Sequence, residues 1–146
     1  MKIAIGSDHA GVKLKALIKN KIEDAQFIDM GPSTEDSVDY PDYISKVAKC
    51  VQKNECDCGI AICGTGIGAC ITANKFKGIR AALCMNEFMA EMTRRHNNAN
   101  VLVLGARVIG DDLAIAIVKR YLETSFDGGR HQKRLDKITA IENGEN

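Results

Sequence analysis

The sequence carries almost no net charge. Lys and Arg number 20 against 19 Asp and Glu, leaving +1 over 146 residues. No bulk positive field is available to hold nucleic acid or an anionic membrane, so neither is expected as a partner. Any anion must be held by locally placed cations. Long apolar runs are also missing. The longest stretch without a charge or histidine, Cys58 to Asn74, is broken by glycines and falls short of the about 20 apolar residues of a membrane span. Asp8 and His9 interrupt the N-terminal apolar residues before a secretory core can form. The expectation is a soluble, cytoplasmic protein. Cys-x-x-Cys is absent among the six cysteines. A disulfide framework belongs to small secreted scaffolds without a core. Cys56-x-Cys58 has no second pair or histidine at finger spacing, which argues against structural zinc. Cys50, Cys70 and Cys84 fall in apolar patterns and read as small core residues. No repeat, low-complexity tract or linker divides the chain, so residues 1–146 read as one domain.

What is present is an alternation of strand and helix signals. Strands are expected at Lys2–Gly6, Gln26–Met30, Gly59–Cys63, Ile79–Cys84 and Val101–Gly105. Val12, Leu14, Leu17, Ile18 and Ile22 recur at helical spacing. Gly31–Asp42 is turn-rich and acidic and reads as a loop. Pro41 opens a helix with Ile44, Val47, Ala48 and Val51 on one face. A helix is expected near Gly68–Lys75. Asn86 caps another, with Phe88, Met89 and Met92 inward. Asp111 and Asp112 begin a helix whose apolar side is Leu113, Ala114, Ile117, Val118 and Tyr121. A polar helix covers Arg130–Glu142. Such alternation predicts an α/β fold with one parallel sheet covered by helices on both faces. Ligands of such sheets bind beyond the C-terminal ends of the strands, at a switch point.

The residues following those strands are therefore the candidates for chemistry. Cys63-Gly64-Thr65-Gly66-Ile67-Gly68 closes one strand and opens a helix. Its glycines allow tight turning and close approach, and backbone N–H groups there can face an anion. The alternative is a plain tight turn. The spacing is not the dinucleotide GxGxxG, and the first loop, GSDHAGVK, lacks the GK[ST] of a nucleotide P-loop. Cys63 is either a core residue or a thiolate acting as base or nucleophile. Asp8 and His9 follow the first strand. His96 and Asn97 end a helix, where a histidine also serves as a cap. Arg130 and Arg134 stand four apart on one helical face, either solvated or clamping a phosphate. Arg107 adds a third cation after the last strand.

Six segments in order, GSDHAG (6–11), VDYPDY (38–43), ICGTGIG (62–68), ANKFKGIRAALC (73–84), RRHNNANVLVLGARVIG (94–110) and GGRHQKR (128–134), resemble the ribose-5-phosphate isomerase type B family, within the wider group that includes galactose-6-phosphate isomerase. The resemblance runs over nearly the whole chain. It implies a Rossmann-like or flavodoxin-like three-layer α/β/α sandwich with a five-stranded parallel sheet, a single sugar-phosphate isomerase domain. It implies a metal-independent aldose–ketose isomerase without cofactor, interconverting D-ribose 5-phosphate and D-ribulose 5-phosphate in the pentose phosphate pathway through a cis-enediolate. Cys63 matches the base, and the N–H groups of Gly64, Thr65, Gly66, Ile67 and Gly68 an anion hole. The Thr65 hydroxyl would contact the thiol or the reacting oxygens. His96 matches the group that opens the furanose ring, with Asp8 holding hydroxyls or assisting. His9, Arg107, Arg130 and Arg134 match the phosphate set, Asn97 a sugar contact, and Tyr40 a pocket wall. The implied assembly is a homodimer or homotetramer whose active site is shared, with His96, Asn97, Arg107 and the C-terminal arginines coming from the neighbouring subunit. The complete RHN and GGRHxxR pattern favours the pentose over galactose 6-phosphate; allose 6-phosphate or another hexose phosphate stays open as an alternative, because pocket depth is not legible from the sequence.

Three rival readings predict different behaviour. A flavin or nucleotide module would bind those ligands with Cys63 dispensable. A thiol redox protein would pair Cys63 reversibly with Cys70 or Cys84. A silent sugar-phosphate binder would leave the hydrogen at C2 unexchanged.

Overall fold

The computed structural model describes residues 1–145, so residue 146 of the expected domain lies outside them. Five strands form one sheet: β1 (Lys2–Ser7), β2 (Gln26–Asp29), β3 (Cys58–Cys63), β4 (Ala81–Leu83) and β5 (Val101–Gly105). All neighbours are parallel, in the order β2-β1-β3-β5-β4. Six α-helices connect and cover them: α1 (Val12–Lys21), α2 (Tyr40–Gln52), α3 (Ile67–Ala73), α4 (Glu87–Arg95), α5 (Asp111–Glu123) and α6 (Arg130–Glu142).

Successive strand residues point to opposite faces, and both faces here are apolar. Ile3, Ile5, Ile60, Ile62, Leu102 and Leu104 pack with residues of α1, α4 and α5. Ala4, Ala61, Cys63, Val101 and Val103 pack with α2 and α3. This is the expected α/β/α sandwich. Its last two strands depart from the flavodoxin order, because β5 inserts between β3 and β4. The chain leaves β1 toward β2 on one side and lies against β3 on the other, so the loops after β1 and β3 diverge at the switch point.

Several local expectations shift. The loop after β2 ends earlier than expected, since Tyr40 already lies in the first turn of α2. Strand β4 is shorter than its apolar run, because its edge position pairs it only to β5. Asn86 caps α4 as expected, its side chain accepting from the Met89 N–H at 2.8 Å. The face of α4 is a correction. Ala90 and Thr93 are buried, whereas Phe88 is 70% exposed and Met89 also faces outward. Small residues let α4 sit close to its neighbours, and the large apolar side chains stay outside. Leu113 of α5 is likewise exposed while Ala114, Ile117, Val118 and Tyr121 are buried. Cys84 is buried as expected, and Cys70 is half-buried. Cys50 is not a lone core thiol: it is paired with Cys56 of the following turn. Among the described residues, no helix is long and apolar enough to cross a membrane.

Candidate active site

Strand β3 ends on Cys63, and the glycine loop begins there. Gly66 takes φ +82°, a left-handed conformation natural only to glycine, and this turns its N–H back onto the strand end. That N–H donates to Cys63 Sγ at 3.2 Å. The sulfur is buried with this donor aimed at it. The Thr65 Oγ1 accepts from the Ile67 N–H at 3.2 Å, so the hydroxyl caps α3 and retains its own proton for donation. Among the described residues, the N–H groups of Gly64, Thr65 and Gly68 donate to no protein acceptor. They are a cluster of donors at one strand end.

The loop is held from three sides. From β5, the Ala106 N–H donates to the Cys63 carbonyl and the Arg107 N–H to the Gly64 carbonyl, each at 2.9 Å. The Arg107 side chain follows, lying so near that a Cβ on Gly64 would sit 3.4 Å from its Nη1. From α2, the Tyr40 ring presses on Gly68, where a Cβ would lie 2.5 Å from Cζ. From β1, the Asp8 N–H donates to the Ile62 carbonyl at 3.1 Å. The Asp8 carboxylate is buried and accepts from the Ala10 N–H at 2.9 Å, capping the single 3-10 turn His9–Gly11. His9 Nδ1 accepts from the Val38 N–H at 3.2 Å. With Nδ1 engaged as acceptor, Nε2 is the ring nitrogen left to donate to an anion. One cluster thus unites Asp8, His9, Tyr40, Cys63–Gly68 and Arg107. Arg107 reaches the loop within its own chain, which departs from the expected origin in a neighbouring subunit.

His96, Asn97, Arg130 and Arg134 are elsewhere. Helix α4 runs back from the C-terminal end of β4 and stops at the opposite edge of the sheet. There the Asn100 carbonyl accepts from the Gly59 N–H, at the start of β3. Gly59 and Cys63 are separated by four strand residues, about 13 Å at 3.3 Å per residue. His96 and Cys63 therefore occupy opposite ends of the sheet in one chain. Around His96 the structure gathers a second set. The His131 ring stacks on it, with centroids 4.2 Å apart and planes 12° from parallel. Arg130 and Arg134 extend exposed from the same helix, and Asn97 is exposed beside His96. Its carbonyl accepts from Arg80 Nε at 3.2 Å. Asp127 completes the set, held by Arg95 at 3.1 Å. Sequence reasoning gave no role to His131 or Asp127, although His131 lies inside the GGRHQKR segment between the two arginines.

His96, Asp127 and His131 are ligand-type side chains whose donor atoms lie within 4.8 Å of one another. They fit a metal poorly. Parallel rings send their lone pairs side by side instead of converging, and Asp127 is occupied by Arg95. Arg130 and Arg134 add repulsion of a cation and attraction for an anion. Burial, then the facing His96, Arg130 and Arg134, hold His131 below the ordinary histidine range against the pull of Asp127. Elsewhere, burial pushes the Cys58 thiol up to about 11 and the Cys84 thiol up to about 12. Neither is a thiolate at neutral pH.

The model of the ribose/galactose isomerase family matches residues 3–138. The chain belongs to that family. It is 47% identical to ribose-5-phosphate isomerase B of Escherichia coli, over 99% of both chains. The solved ribose-5-phosphate isomerase B of Clostridium thermocellum superposes with a TM-score of 0.97 at 53% identity, covering both chains fully. The Mycoplasma genitalium enzyme, solved with bound ribulose-5-phosphate, superposes with a TM-score of 0.93 at 46% identity, covering 97% of this chain and 96% of that one. Members of this isomerase family thus share both ends of the present fold.

Proposed function

We propose that this protein is a metal-independent aldose–ketose isomerase interconverting D-ribose 5-phosphate and D-ribulose 5-phosphate. The observation that carries the reading is the buried Cys63 sulfur facing the Gly66 N–H within a loop of unpaired donors. A relative bound to ribulose-5-phosphate supports the substrate class.

The reaction divides into two proton transfers. Ribose 5-phosphate is a furanose, so a proton must leave O1 and reach O4 as the C1–O4 bond breaks. His96, with Asp8 assisting, takes that step. In the open aldehyde the Cys63 thiolate removes the C2 proton. The C2–H electron pair becomes the C1–C2 double bond, and the carbonyl pair moves onto O1. The free N–H groups of Gly64, Thr65 and Gly68 and the Thr65 hydroxyl stabilise that negative oxygen, while the Gly66 N–H is held by the Cys63 sulfur and the Ile67 N–H by Thr65 Oγ1. After a proton passes from O2 to O1, Cys63 returns its proton to C1 and the ketose is formed. Charge stabilisation by fixed donors replaces what a Lewis acid would supply, so no metal or cofactor is required. His9, Arg107, Arg130 and Arg134 bind the phosphate, Asn97 a hydroxyl, and the Tyr40 ring walls the pocket.

One chain holds only half of this equipment near Cys63. We therefore assign the working enzyme as a homodimer, or a tetramer of such dimers, with His96, Asn97, Arg130 and Arg134 supplied across the interface. A cytoplasmic place in pentose phosphate metabolism follows from this substrate. The deciding experiment is turnover of ribose 5-phosphate by EDTA-treated protein beside Cys63→Ala. Metal-free turnover that is lost in a folded Cys63→Ala variant supports the reading. Inactivity on the pentose with activity on a hexose 6-phosphate would overturn the substrate assignment, and full activity of Cys63→Ala would overturn the base.

A further inference from the structure

We propose that His131 is a positioning residue for His96: its ring packs flat on the His96 ring and fixes the orientation in which His96 moves the ring-opening proton. The inference rests on the role given to His96 above and extends it to a residue outside the expected site.

Helix α6 is polar, and His131 and Leu135 are its buried residues. His131 is 5% exposed, whereas its neighbours Arg130, Gln132 and Lys133 are exposed. Burying an imidazole is costlier than burying a hydrocarbon, so packing alone does not explain its presence. What it touches is the His96 ring, at 4.2 Å and nearly parallel. The two rings come from elements far apart in sequence, and the joint between them is fixed. The His96 N–H donates to the Met92 carbonyl at 2.9 Å, ending α4. The Asp127 N–H donates to the Arg95 carbonyl at 3.0 Å, and Arg95 grips the Asp127 carboxylate. The His131 N–H closes the turn onto the Gly128 carbonyl at 3.1 Å. The charged groups around the stack are Arg130 and Arg134 on α6, Asp127 before it, and Arg95 behind Asp127. Burial first, then the neighbouring His96, Arg130 and Arg134, outweigh the pull of Asp127 and favour the uncharged ring of His131, so it offers His96 a flat surface without competing charge. A ring-opening catalyst must aim one nitrogen at two oxygens in turn, and a ring free to swing loses that alignment.

The test exploits the substrate's chemistry. Ribulose 5-phosphate has no free hydroxyl placed to form a furanose, so it is acyclic. Exchange of its C1 hydrogen with solvent reports enediolate formation without ring opening. His131→Ala is expected to lower kcat on ribose 5-phosphate about 10- to 100-fold, with KM within about threefold. C1 exchange should stay within about threefold of wild type. His131→Phe restores a flat ring and should recover most of kcat. The chain has three histidines, so the His96 Cε1–H resonance can be assigned by elimination. Its ring-current shift should vanish in His131→Ala and persist in His131→Phe. Full turnover by His131→Ala overturns the proposal, as does an equal fall in turnover and exchange, or a folded Phe variant as defective as the Ala one. His96→Ala separates the two readings. If it opens the ring like wild type, the role of His96 itself fails; if it is defective while His131→Ala is not, only the positioning role fails.

Discussion

Cys63 and Gly66 act as one unit: the thiol closes a strand and the glycine sends a donor back to it. On the proposed reading, replacing Cys63 by Ser keeps the size and removes the base. Loss of a positioned general base costs about 10²- to 10⁴-fold. Cys63→Ser should lose activity on that scale in both directions and lose hydrogen exchange at C2 equally, read by NMR in deuterated buffer. Gly66→Ala tests the geometry. An added Cβ would lie 2.5 Å from Leu83 Cδ1 and 3.2 Å from the Gly105 nitrogen, on a backbone at φ +82°. Forcing that conformation costs about 1–3 kcal/mol, before any shift of the Cys63 donor. Urea denaturation should show this loss, together with a fall in kcat. Gly110→Ala is the control. Gly110 sits at φ −77° with nothing within 4 Å of an added Cβ, and as a helix N-cap it should cost under about 1 kcal/mol. The cluster around Cys63 was readable through the ordered set of six segments; glycine at alternate positions after an apolar strand fits a plain tight turn equally well. His131 was not readable as a partner of His96. A stack between residues 96 and 131 is a product of how α4 and α6 meet, and neither segment carries a pattern that states it.

At the scale of elements, the strands were the most legible part. β3 and β5 are buried on both faces and read as continuous apolar runs. Their order was not legible, because a parallel strand presents the same apolar faces whichever neighbour it joins. The α4 face was misread for a related reason: Phe88 and Met89 are apolar whether they meet this chain or another. Lys15 was also unexpected, a lysine on the inner side of α1 at 3% exposure. It binds Asp29 at 2.8 Å and the Pro32 carbonyl, and Lys19 holds the second Asp29 oxygen at 2.8 Å. This knot anchors the loop that leads to Val38 and so to His9. Burial alone would raise the Asp29 carboxyl, but Lys15, Lys19 and the Gly31 N–H together hold it below the ordinary aspartate range. A carboxyl lowered by folding contributes stability above its unfolded-state value, and that stability is lost as pH falls through the folded-state value. Asp29→Asn should therefore be less stable than wild type at pH 7, and the difference should close in acid, below the ordinary aspartate range. Chemical denaturation of both proteins across pH 2 to 7 reads it; a gap independent of pH would exclude the charge as its source.

On the scale of the whole molecule, the two ends of the sheet pose the question of assembly. The Cys63 cluster lies at the C-terminal edge of the strands and the His96 set at the N-terminal edge. No rotation of side chains joins them within one chain. Ile67 and Ile71 on α3, and Met85, Phe88 and Met89 at and just before the start of α4, are exposed apolar side chains of the kind that gain by burial against a second copy. If His96 of one subunit serves Cys63 of the other, two inactive variants can repair each other. A Cys63→Ala homodimer lacks the base in both sites, and a His96→Ala homodimer lacks the ring-opening group in both. A mixed dimer places both lesions in one site and leaves the other intact. Random exchange makes half of the dimers mixed, each with one working site of two, so roughly a quarter of wild-type activity should return. The measurement is turnover of ribose 5-phosphate after equimolar mixing, with subunit exchange followed by native mass spectrometry. If each site belonged to one chain, every site in the mixture would carry a lesion. Activity would then stay at the level of the separate variants however completely the subunits exchanged.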